Sequence, residues 1–298
     1  MKVLDGGFGT TLRDIFNNSD KKIWSLRPIV DKNYKMFTDC HKLFIDAGCD
    51  AITTGNYCAT PYYLSKIGGS SNDLKDYILK IADLSHSLKK YKDDLIIAGC
   101  VPPYAESYDP DNSIPLDKLR DHYSLTGNCL MNTSDFYLAE TISSLREAKT
   151  IYECLGNSNI PLYMSFCVDT DGVSLLDGSN INKVLQSIDY NIKGVMFNCS
   201  PVYNINKAVI NMNRHLVKNN INIELGCYPN LLQKIPKNFK LDTDNKFIYS
   251  DLSSDQFCEY GINWNTFHNV EWVGGCCSIP PSYIKKLNMN RYKVLNKL

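Results

Sequence analysis

Short apolar runs recur eight times along this chain, and stretches of helical periodicity lie between them. The runs fall at 2–4, 51–54, 95–101, 136–139, 162–168, 194–197, 221–225 and 270–273. Helical spacing is clearest at 34–47, where Met36, Phe37, Cys40, Leu43, Phe44 and Ala47 share one face. It returns at 74–88, 143–155, 182–188, 205–217 and 281–287. Strand, helix, strand at this cadence means parallel βαβ units. Eight such units in 298 residues predict an α/β fold, a (β/α)₈ TIM barrel, with an open doubly wound sheet as the competing arrangement. The apolar fraction of 44% is enough to fill one large core. No repeat or linker divides the chain, so a single barrel domain is expected over 1–298. Two polar, turn-rich stretches, 104–115 and 229–254, read as long loops, which in a compact domain are often functional.

A barrel makes the ends of its strands informative, because active sites sit at the C-terminal rim. Asp5 follows the first apolar run, Tyr57 lies just past the second, and Glu140 follows the fourth. Asn198 and Cys199 follow the sixth, Tyr228 lies past the seventh, and Cys276 and Cys277 close the eighth. Polar and metal-binding side chains thus gather where a catalytic face belongs.

The vicinal pair Cys276-Cys277 follows Gly274-Gly275. Neighbouring cysteines seldom bond to each other, since that ring strains the peptide between them, but they can offer two sulfurs to one metal ion. Cys199 is the natural third ligand: too distant along the chain for a finger or ribbon, yet on the same barrel rim. Three thiolates around Zn²⁺ leave a net charge of −1 and one open position, the catalytic pattern rather than the structural one. A thiol entering that position is deprotonated. The competing reading is three unrelated buried thiols.

Asp5-Gly6-Gly7-Phe8-Gly9-Thr10 lacks the third glycine of a dinucleotide loop and the lysine of a P-loop. It reads as a tight turn presenting Asp5 and backbone amides, including that of Gly6, to a ligand. Glu140 can join Asp5 in gripping an ammonium. Phe8, Trp24, Tyr57 and Tyr104 lie in or near these loops, and aromatic faces attract sulfonium or quaternary ammonium groups. No Ser/His triad is evident, and of five histidines only His122 stands near a loop of interest.

Lys plus Arg and Asp plus Glu both number 32, so nothing marks a nucleic-acid or anionic-membrane surface. No apolar run reaches the roughly 18 residues of a membrane span. The N-terminus runs directly into a strand, which speaks against a signal peptide. Twelve irregularly spaced cysteines are then expected to be reduced, in a cytoplasmic setting.

Taken together, these residues resemble the homocysteine S-methyltransferase family, in order and over nearly the whole chain. Asp5-Gly6-Gly7-Phe8-Gly9-Thr10-Thr11-Leu12 is similar to the family's Asp-Gly-Gly-x-Gly-Thr-x-Leu opening. Trp24-Ser25, the segment from Ala47 to Thr54, and Tyr57-Cys58-Ala59-Thr60-Pro61 match further signatures. So do Glu140-Thr141-Ile142, Asn198-Cys199, Tyr228-Pro229-Asn230 and Gly274-Gly275-Cys276-Cys277. The resemblance implies a zinc-dependent barrel that methylates homocysteine to methionine. Cys199, Cys276 and Cys277 would be the catalytic zinc ligands. Asp5 and Glu140 would hold the homocysteine amino group. The expected donor is a sulfonium, S-methylmethionine first and S-adenosylmethionine second, with betaine or a selenium-containing acceptor as alternatives. A monomer or homodimer is expected. The chain departs from the family at Pro102, at Leu231-Leu232-Gln233 and at Ser278-Ile279-Pro280-Pro281, all in loops assigned to the donor side. A different class, a non-catalytic zinc or thiol-sensing barrel, would have no use for the ammonium grip of Asp5 and Glu140.

Overall fold

The structure, a computed structural model, describes residues 1–18, 20, 22–110, 113–233 and 248–292. Eight strands form it: β1 Lys2–Val3, β2 Ala51–Thr53, β3 Ile96–Val101, β4 Phe136–Ile142, β5 Leu162–Phe166, β6 Gly194–Asn198, β7 Glu224–Tyr228 and β8 Val270–Val273. All pair in parallel, in the order β1-β8-β7-β6-β5-β4-β3-β2. A parallel bridge between Leu4 and Ala51 joins the two ends of that order, so the sheet closes into the expected (β/α)₈ barrel.

The helices are α1 Phe8–Phe16, α2 Arg27–Val30, α3 Tyr34–Asp46, α4 Pro61–Ser65, α5 Ser71–His86, α6 Leu116–Leu130, α7 Leu145–Leu155, α8 Ile181–Gln186, α9 Val202–Asn219, α10 Ser254–Trp264 and α11 Pro281–Asn290. Local chemistry sets several starts. Asn33, Thr60 and Ser144 accept the backbone N–H groups of Met36, Tyr63 and Glu147. Ser70 with Asp73 and Ser253 with Gln256 form capping boxes. The apolar face of α3 is buried through Phe37, Cys40, Phe44 and Ile45.

Alternation along the strands divides the core in two. Leu4, Ala98, Phe136, Leu138, Tyr163, Met196, Tyr228 and Trp272 fill the barrel interior. Their neighbours Val3, Ile97, Tyr137, Met164, Phe197 and Val273 pack outward beneath the helices. Phe136, Tyr163 and Trp272 meet edge-on or tilted at centroid distances of 4.6 to 6.2 Å and plug the N-terminal end of the barrel.

Three expectations need correction. β4 runs to Ile142 instead of stopping at 139, so Glu140 lies within the strand rather than after it. The ladder to β5 shifts register between Ala139 and Ile142, and Thr141 takes φ +60°. This bulge breaks the inward–outward alternation and turns Glu140 and Thr141 together into the barrel mouth. β7 covers Glu224–Tyr228, not 221–225, because α9 extends to Asn219 and stops at a left-handed Asn220. Residues 221–223 are spent returning to the sheet. Finally, the glycine-rich turn is shorter than expected, since Phe8, Thr11 and Leu12 bury one face of α1. The middle of the predicted 229–254 loop, 234–247, lies outside the described residues, as do 111 and 112 of the 104–115 loop.

Candidate active site

The C-terminal ends of β1, β4, β6 and β8 converge on one cleft. Its lining includes Gly6, Phe8, Trp24, Tyr57, Glu140, Cys199, Cys276 and Cys277, and also Thr53, Ser107, Thr141 and Tyr228. Close backbone approach builds this mouth. Gly7 N–H donates to the carbonyl of Ile279 at 2.9 Å, and Gly275 N–H donates to that of Asp5 at 2.9 Å. A Cβ on Gly275 would stand 2.2 Å from the Ile279 side chain, so the turn after β8 tolerates only glycine there. The backbone amide of Gly7 is taken up by this contact between the turns that follow β1 and β8.

The three cysteines come together. Their sulfurs lie within 4.8 Å of one another, and Cys199 Sγ is 3.4 Å from Cys277 Sγ. Cys199 is buried and Cys276 and Cys277 are partly exposed. Cys199 sits at φ +47° and Ser278 at +66°, left-handed conformations uncommon for side-chain-bearing residues. Strain of this kind persists where surrounding contacts hold it in place. Hydrogen bonds from the Cys276 and Cys277 thiols, and from Tyr108, bring the Cys199 thiol well below its ordinary range. Hydrogen bonding with Cys199 pushes the Cys276 and Cys277 thiols up. Three sulfurs converging on one point, with no disulfide among them, are a donor set suited to a soft or borderline metal ion.

Asp5 precedes the lining residue Gly6 but is itself buried at 1% exposure and is not among the residues that line the cleft. Its carboxylate accepts from Thr53 N–H at 2.9 Å and from Thr53 Oγ1 at 2.7 Å. Burial raises its pKa to about 7 despite those bonds. Glu140, 8% exposed, is raised to about 8, chiefly by burial and further by Asp5 and Cys199. Both carboxyls therefore titrate near neutrality, and an arriving cation would draw them toward the ionised form. Among the described lining residues there is no Lys, Arg or His.

Asn198 organises the rim between β4 and β6. Its Oδ1 accepts from Thr141 N–H at 3.1 Å and Ser165 Oγ at 2.8 Å, while its Nδ2 donates to Thr141 Oγ1 at 3.0 Å. Trp24 and Tyr57 stand on the cleft's far side, with ring centroids 6.5 Å apart, and the Tyr57 hydroxyl lies 2.6 Å from Ser107 Oγ. Phe8 also borders the cleft and stacks on the buried His41 at 4.2 Å. Tyr104 and His122 do not join this group. They pack edge-on against each other at 5.5 Å, and His122 Nε2 lies 3.0 Å from the carbonyl of Pro102. Burial lowers the pKa of His122 to about 4.

Sequence reasoning passed over Tyr108. It lies in the 104–115 loop, and its hydroxyl is 3.0 Å from Cys199 Sγ and 3.2 Å from the Cys199 carbonyl oxygen. Its one prior signal was membership in a long, polar, turn-rich loop.

A model of the family described as homocysteine S-methyltransferase matches residues 2–290. Homocysteine S-methyltransferase 1 of Brassica oleracea var. italica is 25% identical over 314 residues, with 96% of this chain and 92% of the relative covered. Homocysteine S-methyltransferase 2 of Saccharomyces cerevisiae is 23% identical, with 96% and 92% covered. Among solved structures, the metallated form of the homocysteine methyltransferase MmuM from Escherichia coli has the same fold. Its TM-score is 0.80 at 21% identity, with 97% of this chain and 96% of MmuM covered.

Proposed function

The chain belongs to the homocysteine S-methyltransferase family, whose reaction methylates homocysteine to methionine, and on that premise we propose that it works with zinc and a sulfonium donor. The observation that carries the proposal is the convergence of three cysteine sulfurs on a cleft that Glu140 also lines, with no cationic side chain among its described lining. Cys199, Cys276 and Cys277 are the residues that would hold the metal. Zinc bound there would supply the Lewis acidity that keeps an incoming thiol deprotonated at neutral pH, where a free thiol is only a few per cent thiolate.

The rest of the chemistry belongs to side chains. Asp5 and Glu140 are suited to the acceptor's ammonium group. Each oxygen of Asp5 already takes one bond from Thr53 and keeps a lone pair free. An ammonium between two carboxyls raised to about 7 and 8 draws them into the ionised form, so acceptor binding should release protons near neutral pH. Trp24, Tyr57 and Phe8, which also line the cleft, offer aromatic faces to a positively charged methyl donor. The homocysteine sulfur forms a bond to the methyl carbon, and the electron pair of the breaking bond returns to the donor sulfur. The donor leaves as a neutral thioether and needs no proton. Catalysis then rests on in-line positioning, which a rigid strand-end site provides.

A donor panel with homocysteine, following methionine, tests this reading. S-methylmethionine is expected to be the best methyl source, with S-adenosylmethionine slower. Metal analysis should find close to one zinc per chain, and Cys277→Ser should lose both metal and activity. Turnover with betaine alone would move the donor to the quaternary-ammonium class. A fully active, zinc-replete Cys277→Ser protein would end the metal reading.

A further inference from the structure

Tyr108 reaches the metal-ligand cluster from a distant part of the chain. Its loop is tied to the barrel mouth at two neighbouring points. Tyr62 Oη donates to Glu106 at 2.6 Å, with Lys66 Nζ 3.7 Å from the same carboxylate, and Ser107 Oγ meets Tyr57 Oη at 2.6 Å. Both anchors belong to the segment following β2. Fixed there, the loop crosses to the end of β6 and sets the Tyr108 hydroxyl 3.0 Å from Cys199 Sγ. Tyr108 is 7% exposed and packs with Cys167 and Cys199 against Cys276 and Cys277. Its ring therefore covers part of the sulfur cluster.

We infer that Tyr108 is a positioning residue for the metal centre, donating a hydrogen bond that fixes and tempers the Cys199 sulfur. The inference rests on the metal reading of the three cysteines. Three thiolates around a divalent ion leave one surplus negative charge, and a phenol O–H is a donor able to spread it. Hydroxyl donors can bond either the carbonyl or the sulfur of Cys199, and an anionic sulfur is the stronger acceptor. The backbone of Cys199 has independent support. Its N–H lies 3.4 Å from the Tyr228 carbonyl, and Cys167 Sγ is directed at the carbonyls of Asn198 and Cys199 at 3.5 and 3.9 Å. Removing the hydroxyl should therefore alter the sulfur and leave the strand end in place. Partners of metal ligands outside the coordination sphere typically change metal affinity by about 10- to 100-fold when mutated.

Tyr108→Phe, which deletes one oxygen and preserves the ring, tests this with cobalt(II) as the spectroscopic probe and zinc as the affinity probe. The thiolate-to-cobalt charge-transfer band of the variant should move to lower energy, because a thiolate without its hydrogen bond gives up charge more easily. Zinc should be lost to a competing chelator at about 10- to 100-fold lower chelator concentration. The metal-free thermal melt should stay close to that of the parent. An unshifted band overturns the inference, even if zinc affinity falls, since packing alone would produce that fall. If the parent protein itself gives no thiolate-to-cobalt band, the metal reading fails and this inference with it. A parent band that Tyr108→Phe leaves unmoved refutes only the role of Tyr108.

Discussion

Glu140 and Asp5 are acids placed where water cannot stabilise their charge. Their pKa values, about 8 and about 7, lie well above those of free carboxyls. In the folded, ligand-free protein these groups bind protons that the unfolded chain has released. Stability from this source is present below about pH 4 and is lost as pH rises through 7 to 8. Denaturation of metal-free protein between pH 5 and 8.5 should show falling stability, on the order of a few kcal/mol across the range. Glu140→Gln should flatten that slope and raise the KM for homocysteine more than it lowers kcat. A slope unchanged by Glu140→Gln would mean that another group carries the pH dependence. Both carboxylates could be picked out in the sequence as residues near strand ends. Their burial could not, because it depends on which neighbours close over them.

At the scale of elements, the rim is shaped by what happens after regular pairing stops. The bulge at Glu140-Thr141 sends two consecutive side chains into the mouth, which an unbroken strand would not do. Asn198, at the end of β6, holds that bulge through both Thr141 bonds and also takes the Ser165 hydroxyl. Asn198→Ala leaves the Thr141 N–H and two hydroxyls without their partner. It should cost about 1–3 kcal/mol of stability, read from a denaturant midpoint, and weaken homocysteine binding as Glu140 shifts. A loss under about 0.5 kcal/mol would show that the bulge supports itself. The eight strands and six of the eleven described helices were legible because local periodicity reflects which face each residue buries, whereas α1, α2, α4, α6 and α10 were not read from the sequence. The bulge was not legible, since the bonds that hold it come from a side chain on β6. The extent of β7 was misread because 221–225 alternates apolar and polar residues as a strand does, while the real strand start depends on where α9 ends.

Over the whole molecule, the barrel separates stability from chemistry. Its N-terminal end is plugged by Phe136, Tyr163 and Trp272, and the Trp272 Nε1–H also donates to Glu224 at 3.2 Å. The C-terminal end holds the cysteines and carboxyls. Trp272→Ala removes a fully buried ring and should cost roughly 3–5 kcal/mol, a fall of about 10 °C or more in Tm. Metal uptake by the fraction that stays folded should remain near that of the parent. If metal binding collapsed in parallel at temperatures below unfolding, the two ends of the barrel would be coupled. Among the described residues no helix is long and apolar enough to cross a membrane.

The sequence by itself determined the cadence of strands and helices, the candidate ligands and the order of the family's motifs. These depend on residue type and on neighbours within a few positions. Only the tertiary structure decided how those candidates relate to one another. Ring closure brings Glu140, Cys199 and Cys276-Cys277 to a single mouth, and burial raises the pKa of Glu140 there and of Asp5 just past β1. It also brings Tyr108 onto Cys199 across 91 positions of chain. No local pattern encodes such a contact, because it exists only once eight strands have closed and the loops above them have been tied down.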